Sequence, residues 1–165
     1  MTRAVNTALA GSGGVLQVVQ TVKTDTFSTT NNTWTDITGY SVSITPTSTA
    51  SRILVSWQFE VGSGGTSPDV MIRLVRDSTV IATGASNGGT DFITAYMGNE
   101  GGTYREYIAP QQAGEFLDSP ATTSATTYKL QIRNWSATTG ISVGRRWINS
   151  SFQAPSFLTV MEIAG

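Results

Sequence analysis

The sequence predicts an all-β fold, a two-sheet sandwich or a barrel of about eight to ten short strands. Three observations predict it. The chain is rich in Thr and Ser and poor in charge, and its Thr, Val, Ile, Tyr, Phe and Trp favour a pleated, half-buried surface. Several stretches alternate apolar and polar residues with a period of two. Turn signals built from Gly, Asn, Asp and Pro separate those stretches at regular intervals.

The N-terminal stretch is the exception. In Thr2–Ala10 the residues Ala4, Val5, Ala8 and Leu9 share one face at helical spacing. Two turns are too short to stand alone, so this segment, with Arg3, is expected to dock on a partner. "GSGG" at Gly11–Gly14 then forms a hinge. Residues 1–14 therefore read as a docking arm and hinge, and residues 15–165 as one β domain.

The first strand is expected over Val15–Lys23, with two short strands around Phe27 and Trp34 and turns at Asn31-Asn32 and Thr38-Gly39. "YSVSITP" alternates and stops at Pro46. "RILVSWQFEVG" puts Ile53, Val55, Trp57, Phe59 and Val61 on one face, the pattern of a central core strand. Val70, Ile72 and Leu74 alternate toward "RDST", and "VIATG" returns, which is a hairpin. Asp91–Gly98 and Thr103–Pro110 are expected to be strands, and "QAGEFLDSP" a lead-in to the next loop. "TYKLQIRNW" alternates again, and "ISVGRRWIN" and "SFLTVMEIAG" complete the set. The Ser/Thr/Ala run before Tyr128 is short enough to be an ordinary loop, not a tether between domains.

The last strand carries the functional signal. Leu158 and Val160 face one way, and Phe157, Met161 and Ile163 the other, with Thr159 among them. Apolar residues on both faces imply that both are covered. One face meets the core. The other is expected to meet another copy of the chain, or else the N-terminal segment.

Composition narrows the function classes. Of the residues, 39% are hydrophobic and 13% charged, and the net charge is -1, which fits a folded chain and argues against an electrostatic nucleic-acid binder. Cys and His are absent, which removes disulfides, common zinc sites, and Ser-His or Cys-His nucleophile pairs; no cofactor or metal is expected. No stretch is apolar enough to span a membrane, so no membrane insertion is expected. Acid pairs such as Asp69 and Asp77, Asp91 and Glu100, or Glu115 and Asp118 read as solvated loop or strand-end residues rather than a hydrolase dyad. Trp34, Tyr96, Tyr104, Tyr107, Trp135 and Trp147 lie near loops. They read as loop or subunit packing, with a glycan or protein receptor surface left open.

"GGVLQVVQTVKTDTFST", "ITGYSVSITPTSTASRILV", "IRLVRDSTVIATG", "FLDSPATTSATTYKLQIRN" and "LTVMEI", in that order, resemble a family of small virion structural proteins of tailed bacteriophages, many of them marine or cyanobacterial. The resemblance covers about Gly13 to Ile163. It implies a jelly roll similar to tumour-necrosis-factor and complement head domains, which form homotrimers with the last strand in mid-sheet near the three-fold axis. Phe157, Thr159, Met161 and Ile163 would then line the trimer interface, and Arg3, Ala4, Val5, Ala8 and Leu9 would dock the protein on its virion. The implied function is a non-enzymatic virion surface protein made in the bacterial cytoplasm. It would be a capsid decoration or cement protein held by the major capsid protein or another virion protein. The alternative is the receptor-binding head of a fibre, with loops 62–68, 84–90 and 98–103 touching a host-surface glycan or protein. The short segment ahead of the first strand favours decoration, since a fibre head is expected to follow a long shaft.

Overall fold

Alternation becomes strand wherever one face can be buried, and in this protein it does so on two sheets. The computed structural model describes residues 14–64, 70–85, 93–97, 107–135 and 140–165. The arm residues Arg3, Ala4, Val5, Ala8 and Leu9, and most of the three loops named above, lie outside the described residues.

Eleven strand segments occur among the described residues. They are β1 (Val15–Lys23), β2 (Phe27–Thr29), β3 (Thr35–Ile44), β4 (Arg52–Ser63), β5 (Val70–Arg76), β6 (Thr79–Ile81), β7 (Ala95–Met97), β8 (Gln111–Asp118), β9 (Thr126–Asn134), β10 (Ile141–Val143) and β11 (Ser156–Ile163). The six-stranded sheet has the order β1-β11-β4-β10-β2, with β8 on the other side of β4. The five-stranded sheet has the order β3-β9-β5-β6, with β7 also on β5. Every pairing is antiparallel. The chain changes sheet at β3, β4, β5, β8, β9 and β10, which is the jelly-roll path. The closing strand β11 sits inside its sheet, between β1 and β4.

The core lies between the sheets. Ile53, Val55, Phe59, Leu158 and Val160 of one sheet meet Tyr40, Ile72, Leu74, Tyr128, Leu130 and Ile132 of the other, all fully buried. Two polar groups tie the layers together. The Tyr40 hydroxyl donates to the carbonyl of Phe157 at 2.6 Å and accepts from the amide of Gln58. It thus occupies the point where β4 stops pairing with β11. Asp118 on β8 accepts from Arg76 Nη1 through both oxygens at 2.9 Å and from the Tyr128 hydroxyl at 2.7 Å. This joins a strand of one sheet to two strands of the other. Asp118→Ala leaves a largely buried cation and a buried phenol without their acceptor, so a loss of about 3 kcal/mol is expected in urea unfolding. A loss below about 1 kcal/mol would show that the cross-sheet pair does not hold the layers.

Several sequence expectations are corrected. Thr38-Gly39 is not a turn but a bulge inside β3, between Asp36 and Ser41 of the β9 register. Ile37 and Tyr40 must both face the core although three positions apart. Ile37 to Tyr40 stand against Leu130 alone, so three extra residues on β3 reset the phase, with Gly39 at φ +77°. The strand expected over Thr103–Pro110 is displaced. Its described part, Tyr107–Pro110, lies outside any strand, and pairing with β4 starts at Gln111, after the proline that has no amide to donate. β10 ends at Val143 because Gly144, at φ +76°, turns the chain away, so "GRRWIN" is loop. Trp34 lies just ahead of β3 rather than inside a strand.

Candidate functional site

The register of the six-stranded sheet decides which residues share its outer face. Val18 pairs with Met161, Met161 with Leu54, and Leu54 with Leu117. These four side chains form one apolar row across β1, β11, β4 and β8. The next row is polar: Gln20, Thr159, Ser56 and Glu115. The third is Val22, Phe157, Gln58 and Ala113. Ile163 closes the face beside Val15 and Arg52. Phe157, Thr159, Met161 and Ile163 therefore do share one outward face, each half-buried by its neighbours.

The exposure on this face is unusual for a strand. Val18 is 55% exposed, Leu16 50%, Val22 48% and Leu117 39%. The outer face of the five-stranded sheet is of the opposite character. Asp36 pairs there with Lys129 at 2.8 Å and accepts from Gln131, Ser43 bonds Thr127, and the Arg73 guanidinium lies 4.3 Å from the Trp34 ring centre. One face of the sandwich is dressed for water and the other is not.

The far end of the outer face is already covered. The loop after β10 folds back over it, with Ser142 Oγ donating to the Arg145 carbonyl and Arg145 Nη1 to the Trp147 carbonyl. Trp147 sits in a seat of three glycines. A Cβ on Gly62, Gly64 or Gly140 would come within 2.6, 2.3 or 1.9 Å of Trp147 atoms. Trp147 is thus a packing residue. On the same loop Arg146 stacks on Phe152 at 4.4 Å and lies 5.8 Å from the Tyr107 ring. Trp135 and Tyr96 are exposed, and Tyr104 lies outside the described residues.

A buried acid marks the end where the N-terminal segment joins. Glu162 is fully buried and faces inward on β11. It accepts from the amide and hydroxyl of Thr47 at 2.6 and 2.7 Å and from Gln17 Nε2 at 2.6 Å. Burial alone would raise its pKa. The hydrogen bonds from Thr47 and Gln17 outweigh burial and hold it at about 2. The neighbouring amide of Ala164 donates to the Gly14 carbonyl at 2.9 Å, so Gly14 lies next to Ile163.

Among the described residues the acids do not assemble into a reactive site. Asp69, Asp91 and Glu100 lie outside the described residues. Asp77 caps the Thr127 amide, and Asp118 is held by Arg76 and Tyr128 while Glu115 points outward. No group of three acids that could hold a metal ion occurs among the described residues.

Sequence reasoning found the β11 residues but missed Val18, Leu54 and Leu117. Leu54 was visible as an apolar residue on the polar face of β4. Val18 lies in an apolar run with no clear phase, and Leu117 lies in a stretch that reads only as the lead-in to the next loop.

No protein family and no curated protein matches the chain. Three solved structures of infectious bursal disease virus are similar to it. One is the Gx strain of that virus, at 15% identity and a TM-score of 0.44 over 90% of this chain. The VP2 subviral particle follows, at 14% identity and a TM-score of 0.40, and then the virus-derived T=1 particle, at 16% and 0.40, each again over 90% of this chain. The chain spans 38%, 37% and 36% of the length of those three solved chains.

Proposed function

We propose that this chain is a non-enzymatic surface protein of a bacteriophage virion, a homotrimer that decorates the capsid and is anchored by its N-terminal arm. The observation that carries the reading is the outward apolar row Val18, Met161, Leu54 and Leu117, exposed at Val18 and Leu117 and half-buried between them, on one face of a sandwich whose other face is polar. A soluble sheet exposes such a row at a cost unless another surface covers it. Another copy of the chain supplies the matching apolar surface, and a closed ring of copies leaves no row exposed. The ordered sequence strings that resemble phage virion proteins support the virion as the place of assembly.

In this reading the arm does the docking. Its residues Arg3, Ala4, Val5, Ala8 and Leu9 precede Gly14, which lies beside Ile163 and the apolar face. Three arms on one trimer bind by avidity, so each contact can be weak. The partner is the major capsid protein or another virion protein.

Deleting Thr2–Ala10 is expected to leave the oligomer intact and to abolish attachment to particles, read by co-sedimentation with virions. Attachment by the shortened protein would overturn the arm's role. Immunogold labelling of intact virions with antibody to this chain tests the location. Label spread over the head supports decoration. Label confined to a fibre tip would replace decoration with a receptor-binding head, and no label on any particle would overturn a virion role.

A further inference from the structure

β8 is an edge strand with one side open. It pairs with β4 on one side and, among the described residues, with no strand on the other. The Val61 amide donates to the Pro110 carbonyl at 3.1 Å, so Val61 and Pro110 form a hydrogen-bonded pair. Such pairs alternate along an antiparallel ladder. Gln112, Gly114, Phe116 and Asp118 therefore direct their backbone groups to β4. Gln111, Ala113, Glu115 and Leu117 direct theirs to the open side, in the plane of the sheet. No other segment among the described residues bonds to them there.

A long open edge invites a further strand, and folded proteins blunt one with lysine, proline, a bulge or a short length. β8 has none of these. It runs from Gln111 to Asp118 in unbroken register with β4 and contains no Pro and no Lys. The opposite edge of the sheet is closed instead. There Thr21 Oγ1 and Gln17 Nε2 of β1 donate to the carbonyls of Ser41 and Thr45, each at 2.7 Å, on and just after β3. Beside β8 the sandwich gapes. A cleft of about 380 Å³ separates residues 113–116 from the β6–β7 margin of the other sheet, where Ala82 and Ala95 lie. Phe116, which points inward from β8, is half-buried at its wall. The one charged side chain in the stretch from Gln111 to Leu117 is Glu115. It is exposed and belongs to none of the ion pairs among the described residues.

We infer that the β8 edge binds an extended segment of a partner protein as an added strand. That segment has aliphatic residues at alternate positions and a basic residue beside Glu115. Open N–H and C=O groups along a sheet edge are matched by a strand and not by a helix. One face of the added strand falls over the cleft beside Phe116, which suits aliphatic side chains. Its other face continues that of Ala113, Glu115 and Leu117, where a cation next to Glu115 adds a cross-strand pair. Nothing in this rests on the trimer, because the added strand lies in the plane of the sheet, beside its outer face rather than on it.

The test uses the full chain, 15N-labelled, both as the parent and as Met161→Lys, in which the apolar seam is broken. The probe is an octapeptide alternating valine and lysine, acetylated and amidated. Saturable binding is expected. Amide exchange should slow at Ala113, Glu115 and Leu117 and change little at Gly114 and Phe116, whose amides already serve β4. Ala113→Pro removes one N–H from the open side and no bond to β4, so the fold is kept and binding weakens about tenfold. A probe with glutamate in place of lysine is expected to bind about fivefold more weakly, and Glu115→Lys to reverse that preference. Equal binding of the two probes by the parent, or protection that does not alternate along β8, would overturn strand addition. So would the absence of saturable binding in Met161→Lys, while sedimentation of the same samples reports on the trimer separately. A lower sedimenting mass for Ala113→Pro than for the parent would give the edge to a second copy. Fast exchange at these three amides that appears only after deletion of Thr2–Ala10 would give it to the chain's own arm. Either result overturns a partner segment.

Discussion

Replacing Met161 with lysine is expected to leave the sandwich folded and to abolish its assembly. Met161 lies in the middle of the apolar row, flanked by Val18 on β1 and Leu54 on β4. In a free subunit the position is half-buried, and a lysine stem can lie along the sheet with its ammonium in water. In an assembled seam that ammonium would be taken out of water with no carboxylate beside it. The penalty is several kcal/mol per ion, and each 1.4 kcal/mol is a tenfold loss of association. Analytical ultracentrifugation should therefore show a species of three times 17.5 kDa for the parent and one of 17.5 kDa for Met161→Lys. Ser43→Lys, on the polar outer face of β3, is the control and should leave the larger species intact. A Met161→Lys protein with unchanged mass would show that this face is not the interface. A parent already at 17.5 kDa would remove the trimer altogether.

Acid is expected to weaken the fold through Glu162. Its folded pKa is about 2, against an ordinary 4.5. A carboxylate with a depressed folded pKa stabilises the protein fully above its unfolded pKa. That contribution is lost as the pH falls from about 4.5 toward 2. The shift corresponds to a stabilisation on the order of 3 kcal/mol. Glu162→Gln can still accept one hydrogen bond but places an amide N–H against the Thr47 and Gln17 donors. It is expected to unfold at lower urea concentration at neutral pH and to lose most of the parent's acid sensitivity in that window. The comparison is a set of urea titrations between pH 7 and pH 2. If parent and Glu162→Gln lose stability in parallel on acidification, other carboxylates set the acid limit.

Both predictions concern the same strand. On β11 the odd positions Phe157, Thr159, Met161 and Ile163 look outward, while Leu158 and Val160 enter the core and Glu162 fastens the end. Assembly and stability therefore lie on opposite faces of one element. A Met161 change should alter mass with little change in urea midpoint, and a Glu162 change should do the reverse.

The strands that could be read from the chain are those whose inward positions are apolar. In β4 and β9 every second residue is Ile, Val, Trp, Phe, Tyr or Leu over most of the strand, and the period of two is unmistakable. The β5–β6 hairpin was legible for the same reason, with Asp77 and Ser78 forming the turn, whereas β1 was legible only as an apolar run, its inward positions Gln17, Thr21 and Lys23 being polar. β8 was not. Its inward positions are Gln112, Gly114, Phe116 and Asp118, of which one is a large apolar residue. Gly114 is there because Trp57 occupies its space, and Asp118 because Arg76 and Tyr128 reach it from the other sheet. Each reason is a contact with a residue far along the chain, and no local pattern carries it.

The same division holds for the candidate site. The two-sided apolarity of the closing strand is a local property, so the residues themselves were enough to mark Phe157, Met161 and Ile163 as outward and apolar. The row they belong to is a property of register. Val18, Leu54 and Leu117 come from three other strands and meet Met161 only through hydrogen-bonded pairing across the sheet. Trp147 divides the same way. Its place near a loop reads as packing, but the seat that three glycines from two separate stretches make for it is set by the fold. Period and composition act within a few residues and settle which segments become strands and which face is greasy. Pairing partners, phase-resetting bulges and glycine seats depend on distant chain, and these decide where the greasy faces add up to a surface.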